Sequence, residues 1–237
     1  MSNTVRNPAC RALFEHLEPR LLLSGSVFVD VVDGDLIIRG DGLGNGIDIT
    51  QGAAADEFDV TGDVDTLVNG ALGAVAVTGV TDDFDVKMFG GDDTLLLDGV
   101  TVPDDVTIWG GDGVDALGLD TAVVGGDVLI GGGAGDDAIL LDGVTVPDDV
   151  TIWGGDGIDI LWLDTAVVGD DVLIGGGAGA DVIAIFDTSD VAGKVTIYGD
   201  DGDDVLGVDD TTVGGRTEIW GGSGVDTVVV QDSTLGH

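Results

Sequence analysis

Basic residues are nearly missing from this chain: seven Lys and Arg stand against 46 Asp and Glu, a formal net charge of −39. A surface that acidic repels a phosphate backbone, which excludes ordinary nucleic-acid binding and suits multivalent cations, a saline medium or a cationic partner. Cysteine is reduced to Cys10, so no internal disulfide can form and stability has to come from packing or metal. No apolar run approaches the ~20 residues that a membrane-spanning helix needs. Histidine occurs only as His16 and His237, and no Ser-His-Asp, metalloprotease or phosphate-loop constellation is present. Glu is scarce beside Asp.

What is there is apolar material and glycine. Acidic disordered chains are poor in apolar residues, whereas 43% of this one is hydrophobic. Gly and Asp dominate, and both suit tight turns rather than helices. The dominant pattern is a Gly-x-Asp turn that returns at Asp93, Asp115, Asp137, Asp159, Asp181, Asp204 and Asp226, at intervals of 22 residues with a single interval of 23. A fixed period of this size is the mark of a solenoid, whose coils bury their apolar side only by stacking.

Within one period the apolar positions alternate. Leu117 and Leu119 follow Asp115, then Val124, then Val128 and Ile130. The last column is Ile throughout: Ile108, Ile130, Ile152, Ile174, Ile197 and Ile219. Period-two alternation in short runs predicts strands with one face inward, two of them plus a shorter third per coil. Parallel crossovers are nearly always right-handed, so the expected fold is all-β, a right-handed parallel β-helix or β-roll with 22-residue coils and a short N-terminal helical tail. Corners alternate between Pro103-Asp104-Asp105 or Pro147-Asp148-Asp149 and Gly125-Gly126-Asp127 or Gly169-Asp170-Asp171, since Pro fixes φ and Gly permits positive φ. Residues 98–113 and 142–157 are identical, which points to duplication of a pair of coils.

Three segments follow from this reading. Residues 1–25 carry Arg6, Arg11 and Arg20 and a short helix-prone stretch, Ala9 to Leu17, stopped by Pro19. Residues 26–87 read as a β cap with degenerate coils, including a hairpin turn at Asp33-Gly34-Asp35 and a faint copy of the anchor at Gly46-Ile47-Asp48. Residues 88–237 are the solenoid repeats. Within the first segment, Leu17-Glu18-Pro19-Arg20-Leu21-Leu22-Leu23-Ser24 resembles the LEPR-XLL segment of many large surface or secreted proteins of planctomycetes and other bacteria. That resemblance implies a sorting or anchoring tag and a bacterial secreted or cell-surface location.

The Gly-rich turns resemble the RTX nonapeptide GGxGxDxUx, U being a large aliphatic residue. Gly110–Leu117, Gly132–Ile139, Gly154–Leu161, Gly176–Ile183 and Gly221–Val228 fit it in full. The turn at Gly199 replaces the second Gly by Asp200, and the one at Met88-Phe89 keeps only its later half. The resemblance implies Ca²⁺ held between stacked turns by Asp93, Asp115, Asp137, Asp159, Asp181, Asp204 and Asp226 with turn carbonyls. RTX rolls place two nonapeptides in each coil, about 18 residues, whereas here the motif occurs once per 22, so only one edge carries such a ladder. Carboxylates stacked ~4.8 Å apart repel by about 0.9 kcal/mol per pair in water and about 3.5 at an effective dielectric of 20, which favours a cation. The competing reading has each Asp accept hydrogen bonds from its own turn amides. A second stack, Asp98, Asp120, Asp142, Asp164 and Asp209, is expected to end the first strand as turn formers.

Trp109, Trp153 and Tyr198 precede the Gly-rich turn on alternate coils, with Gly131 and Gly175 between them, and Trp220 does so on the coil after Tyr198. They read either as a sugar-stacking row or as rings folded over the neighbouring glycines. Outward positions of the first strand are apolar, among them Leu96, Leu140 and Trp162, which suggests self-association or a surface glycan or protein partner. A β-helix polysaccharide lyase or hydrolase would need acids or bases on an outer face that is here apolar. The chain is therefore expected to be a non-enzymatic, calcium-binding structural or adhesive module, with a glycan-binding module using the Trp row as the alternative.

Overall fold

The computed structural model describes residues 25–236. The expectations placed on the helix-prone stretch and the LEPR-XLL-like segment lie outside these residues. Among the described residues every element is a strand, and the strands wind into a β-solenoid of about seven turns.

The first strands differ from the rest. β1 (Gly25–Val32) and β2 (Asp35–Arg39) form an antiparallel hairpin across Asp33-Gly34, both at positive φ. β3 (Gly46–Gln51) pairs antiparallel with β4 (Glu57–Gly62), and β4 pairs likewise with β6 (Ala74–Thr78). The short β5 (Thr66–Val68) lies parallel to β1. This antiparallel excursion covers the first coil and buries Phe58 edge-on against Phe84, with ring centroids 4.9 Å apart. An end built this way closes a core that stacking alone would leave open.

From β7 (Phe84–Gly90) onward the chain repeats a three-sided coil. β7 begins a sheet of seven-residue strands, continued by Val106–Asp112, Val128–Ala134, Val150–Asp156, Val172–Ala178 and Val195–Asp201. β8 (Thr94–Asp98) begins one of five-residue strands, and β9 (Thr101–Val102) one of two-residue strands. All of these pair parallel with their copies one coil away, in unbroken register. Each inward column is thus stacked on itself, Ile108 on Ile130 on Ile152 on Ile174, all fully buried. A sixth column, not read from the sequence, is added by Val100, Ala122, Val144, Ala166, Ser189 and Thr211. It sits just past a corner where Gly99, Thr121, Gly143 and Thr165 take positive φ.

One detail corrects the sequence reading. Asp48 is not an early copy of the anchor: it is exposed and lies opposite Leu96, while Asn45 stands in line with Asp93. At the other end Thr212–Ser223 is one continuous strand through the Gly214-Gly215-Arg216 corner, where other coils break into two.

Candidate functional site: a buried aspartate ladder

The three glycines of each Gly-rich turn have separate reasons to be glycine. The second and fourth motif positions adopt positive φ, as at Gly133 (+123°), Gly135 (+128°) and Gly155 (+120°), and a Cβ there would strike carbonyl oxygens of the coil before. Where the second position is Phe89 or Asp200, φ stays positive, at 78° and 71°. The first position is different. A Cβ on Gly110, Gly132, Gly154, Gly176 or Gly199 would collide with Oδ2 of the Asp five residues on. It would also approach the carbonyl of the matching glycine in the next coil, 2.7 Å away for Gly132 and 2.5 Å for Gly154.

That Asp is buried. Asp93, Asp115, Asp137, Asp159, Asp181 and Asp204 are at most 2% exposed, and Asp226 on the last coil is half-buried. Each Oδ1 accepts the backbone N–H of its counterpart one coil earlier: Asp93 to Asp115 at 2.8 Å, Asp115 to Asp137 at 2.9 Å, Asp137 to Asp159 at 2.8 Å, Asp159 to Asp181 at 2.9 Å. The series continues through Asp181 to Asp204 at 2.9 Å and Asp204 to Asp226 at 3.2 Å, and begins with the Asn45 amide on Asp93 at 2.6 Å. The donors come from the neighbouring coil, not from each residue's own turn. This ladder stitches adjacent coils together.

Oδ2 is left over. In Asp93, Asp115, Asp137, Asp159, Asp181 and Asp204 it is buried with no hydrogen-bond partner. Unpaired buried oxygens of this kind cost free energy, and as anions they cost more. Burial pushes the carboxyls of Asp93 and Asp137 up to about 7 and that of Asp181 to about 6, against the opposing pull of the backbone N–H; neighbouring carboxylates add to the rise. Burial raises Asp115, Asp159 and Asp204 as well. A proton or a cation at Oδ2 would remove that cost. A carboxylate oxygen and a glycine carbonyl meeting at each level form an all-oxygen donor set, which fits a hard cation such as Ca²⁺.

A second ladder, missed in the sequence, runs along another corner. Asp105, Asp127, Asp149 and Asp171 each donate an N–H to the carboxylate one coil earlier, at 2.7–3.0 Å, beginning at Asp83. Its direction is opposite to that of the buried ladder, and from Asp127 to Asp171 it is exposed. At its start the carboxylates of Asp35, Asp82 and Asp83, and of Asp83, Asp104 and Asp105, gather within 4.8 Å. Asp98, Asp120, Asp142, Asp164 and Asp209 do end the five-residue strands, as expected of turn formers. Asp142 accepts from the Thr165 hydroxyl at 2.7 Å.

The aromatics divide between two faces. Trp109, Trp153, Tyr198 and Trp220 share the outer face of the seven-residue strands, and the rings of Trp109 and Trp153 fold over Gly131 and Gly175, where a Cβ would strike them. Trp162 lies on the other large sheet, edge-on to Phe186 with centroids 5.8 Å apart. There Leu96 and Leu140 flank an apolar notch at Gly118. All four basic residues among those described, Arg39, Lys87, Lys194 and Arg216, are paired with Asp85 or Glu218, so among the described residues the remaining carboxylates have no basic partner. No helix of the described residues is long and apolar enough to cross a membrane. Compared with protein-family models, with curated proteins and with solved structures, the chain matches none.

Proposed function

We propose that this chain is a calcium-binding structural or adhesive β-solenoid module of a secreted or cell-surface bacterial protein, RTX-like, right-handed and without enzymatic activity. The observation that carries the reading is the unpartnered Oδ2 repeated at six successive levels of the core. Ca²⁺ is hard, accepts six to eight oxygens and tolerates irregular geometry, so carboxylates and turn carbonyls of adjacent coils would hold it. Bound to the folded state alone, it would stabilise the solenoid by mass action. The apolar outer face with Leu96, Leu140 and Trp162 supports an adhesive role, and the LEPR-XLL-like segment supports the surface address.

Asp137→Asn separates this reading from a purely structural ladder. Asn keeps an acceptor for the Asp115 N–H and removes the buried charge, and the chain already places Asn45 at one end of the ladder. The variant is expected to melt higher than the parent in chelator and to bind fewer calcium ions in a calorimetric titration. Unchanged calcium stoichiometry and affinity would remove Asp137 from the site.

A further inference from the structure

Apart from the buried ladder, the outer face of the seven-residue strands carries an open groove of about 300 Å³. Three successive coils build it, and its floor is Thr151, Leu173 and Thr196, stacked in register. Asp149, Asp171 and Lys194 form one rim, and Tyr198 stands at the other. Lys194 breaks its column: the coils before it place Asp105, Asp127, Asp149 and Asp171 there. Each rim carboxylate is fixed through one oxygen, Asp149 by the Asp171 N–H at 2.9 Å and Asp171 by the Lys194 N–H at 2.6 Å. Thr196 is only 5% exposed although it lies on the outer face, and its hydroxyl bonds to no described residue. A nearly buried hydroxyl that opens on a groove without a protein partner calls for one from outside.

We infer that this groove binds a neutral hexopyranose unit of a glycan. Such a ring has an apolar C–H face and, around its edge, hydroxyls that both donate and accept. The groove answers both. The Tyr198 ring and Leu173 meet the C–H face, since an aromatic ring is an apolar platform with a polar tip. The second oxygens of Asp149 and Asp171 accept from hydroxyls, and Lys194 and Thr196 donate to them. Three coils span about 10 Å at a spacing of ~4.8 Å, which suits one ring and its substituents. Charge selects against an acidic sugar: Glu218 already neutralises Lys194 at 3.2 Å, and the chain carries −39 overall. The Trp row is not the platform, because the rings of Trp109 and Trp153 are folded over Gly131 and Gly175.

Titration of the isotope-labelled 237-residue chain with methyl glucoside, methyl galactoside and methyl mannoside, followed by NMR, tests this. At least one of the three, which differ in hydroxyl configuration, is expected to bind with a millimolar dissociation constant, the scale set by so few non-hydrogen atoms. Amides of Thr151, Leu173, Thr196 and Tyr198 shift, while that of Leu140 on the other sheet does not. Tyr198→Ala weakens binding about tenfold. Thr196→Val, which keeps a β-branched residue in the strand, weakens it about threefold to tenfold. Trp162→Ala leaves it unchanged. So does Asp137→Asn in the buried ladder, which separates this site from the calcium reading. No shift with any of the three hexosides well above millimolar concentration, or shifts that spare the groove, overturns the inference. Undiminished binding in both Tyr198→Ala and Thr196→Val overturns it too, as does glucuronate binding more tightly than the neutral hexosides.

Discussion

Gly154→Ala lowers the melting temperature of the calcium-loaded solenoid by about 6–12 °C, whereas Gly207→Ala leaves it within about 2 °C. The added methyl at 154 meets Asp159 Oδ2 on one side and the Gly176 carbonyl on the other. Neither can yield. The carboxylate is held by the Asp137 N–H, and the carbonyl belongs to a strand paired on both edges. Overpacking a rigid site costs about 1–3 kcal/mol or more, and displacing the carboxylate breaks a bond between coils as well. For a chain of this size each kcal/mol shifts melting by roughly 2–4 °C. At Gly207 the nearest atom to a new Cβ is 3.8 Å away and φ is not positive, so alanine meets ordinary contact distances. Melts of the two variants followed by circular dichroism decide the matter, and equal midpoints would show that the first motif glycine is not there for the carboxylate.

In chelator, the solenoid is more stable at about pH 5 than at about pH 8. The ladder carboxyls have folded-state values raised above the ordinary 3.8, to about 7 for Asp93 and Asp137 and about 6 for Asp181. Between 3.8 and 7 the folded chain thus binds more protons than the unfolded one, so stability falls as pH rises through that window. The contribution is fully present below about 3.8 and lost above about 7. Calcium reverses the trend, because it competes with protons for the same oxygens and binds best when they have left. Melting temperatures across this range, with chelator and with calcium, should cross. A metal-free solenoid that gains stability from pH 5 to 8 would mean that the ladder is already ionised and satisfied.

The repeat made most of the fold legible, because a column such as Ile108, Ile130, Ile152 and Ile174 records stacking directly. The same regularity hid what breaks it. Asn45 was overlooked because the excursion through β4, β5 and β6 separates it from Asp93 by 48 residues, not a multiple of 22. The column of Val100, Ala122 and Val144 was hidden by the corner before it, whose positive φ at Thr121 no threonine advertises. The exposed ladder from Asp83 to Asp171 was missed because the residues around it change from Pro-Asp-Asp to Gly-Gly-Asp. At the candidate site the sequence identified the Asp residues through their turn glycines. That their amides serve the next coil and their second oxygens face inward depends on register, which only stacking defines.

The most direct test of the buried oxygens as a cation site is thermal melting at low ionic strength, with excess calcium and with chelator, near pH 8 where the carboxyls are ionised. The account predicts a large, saturable rise in melting temperature with calcium that magnesium does not match, since Mg²⁺ dehydrates reluctantly and demands near-octahedral geometry. Identical melting in calcium and in chelator would contradict it.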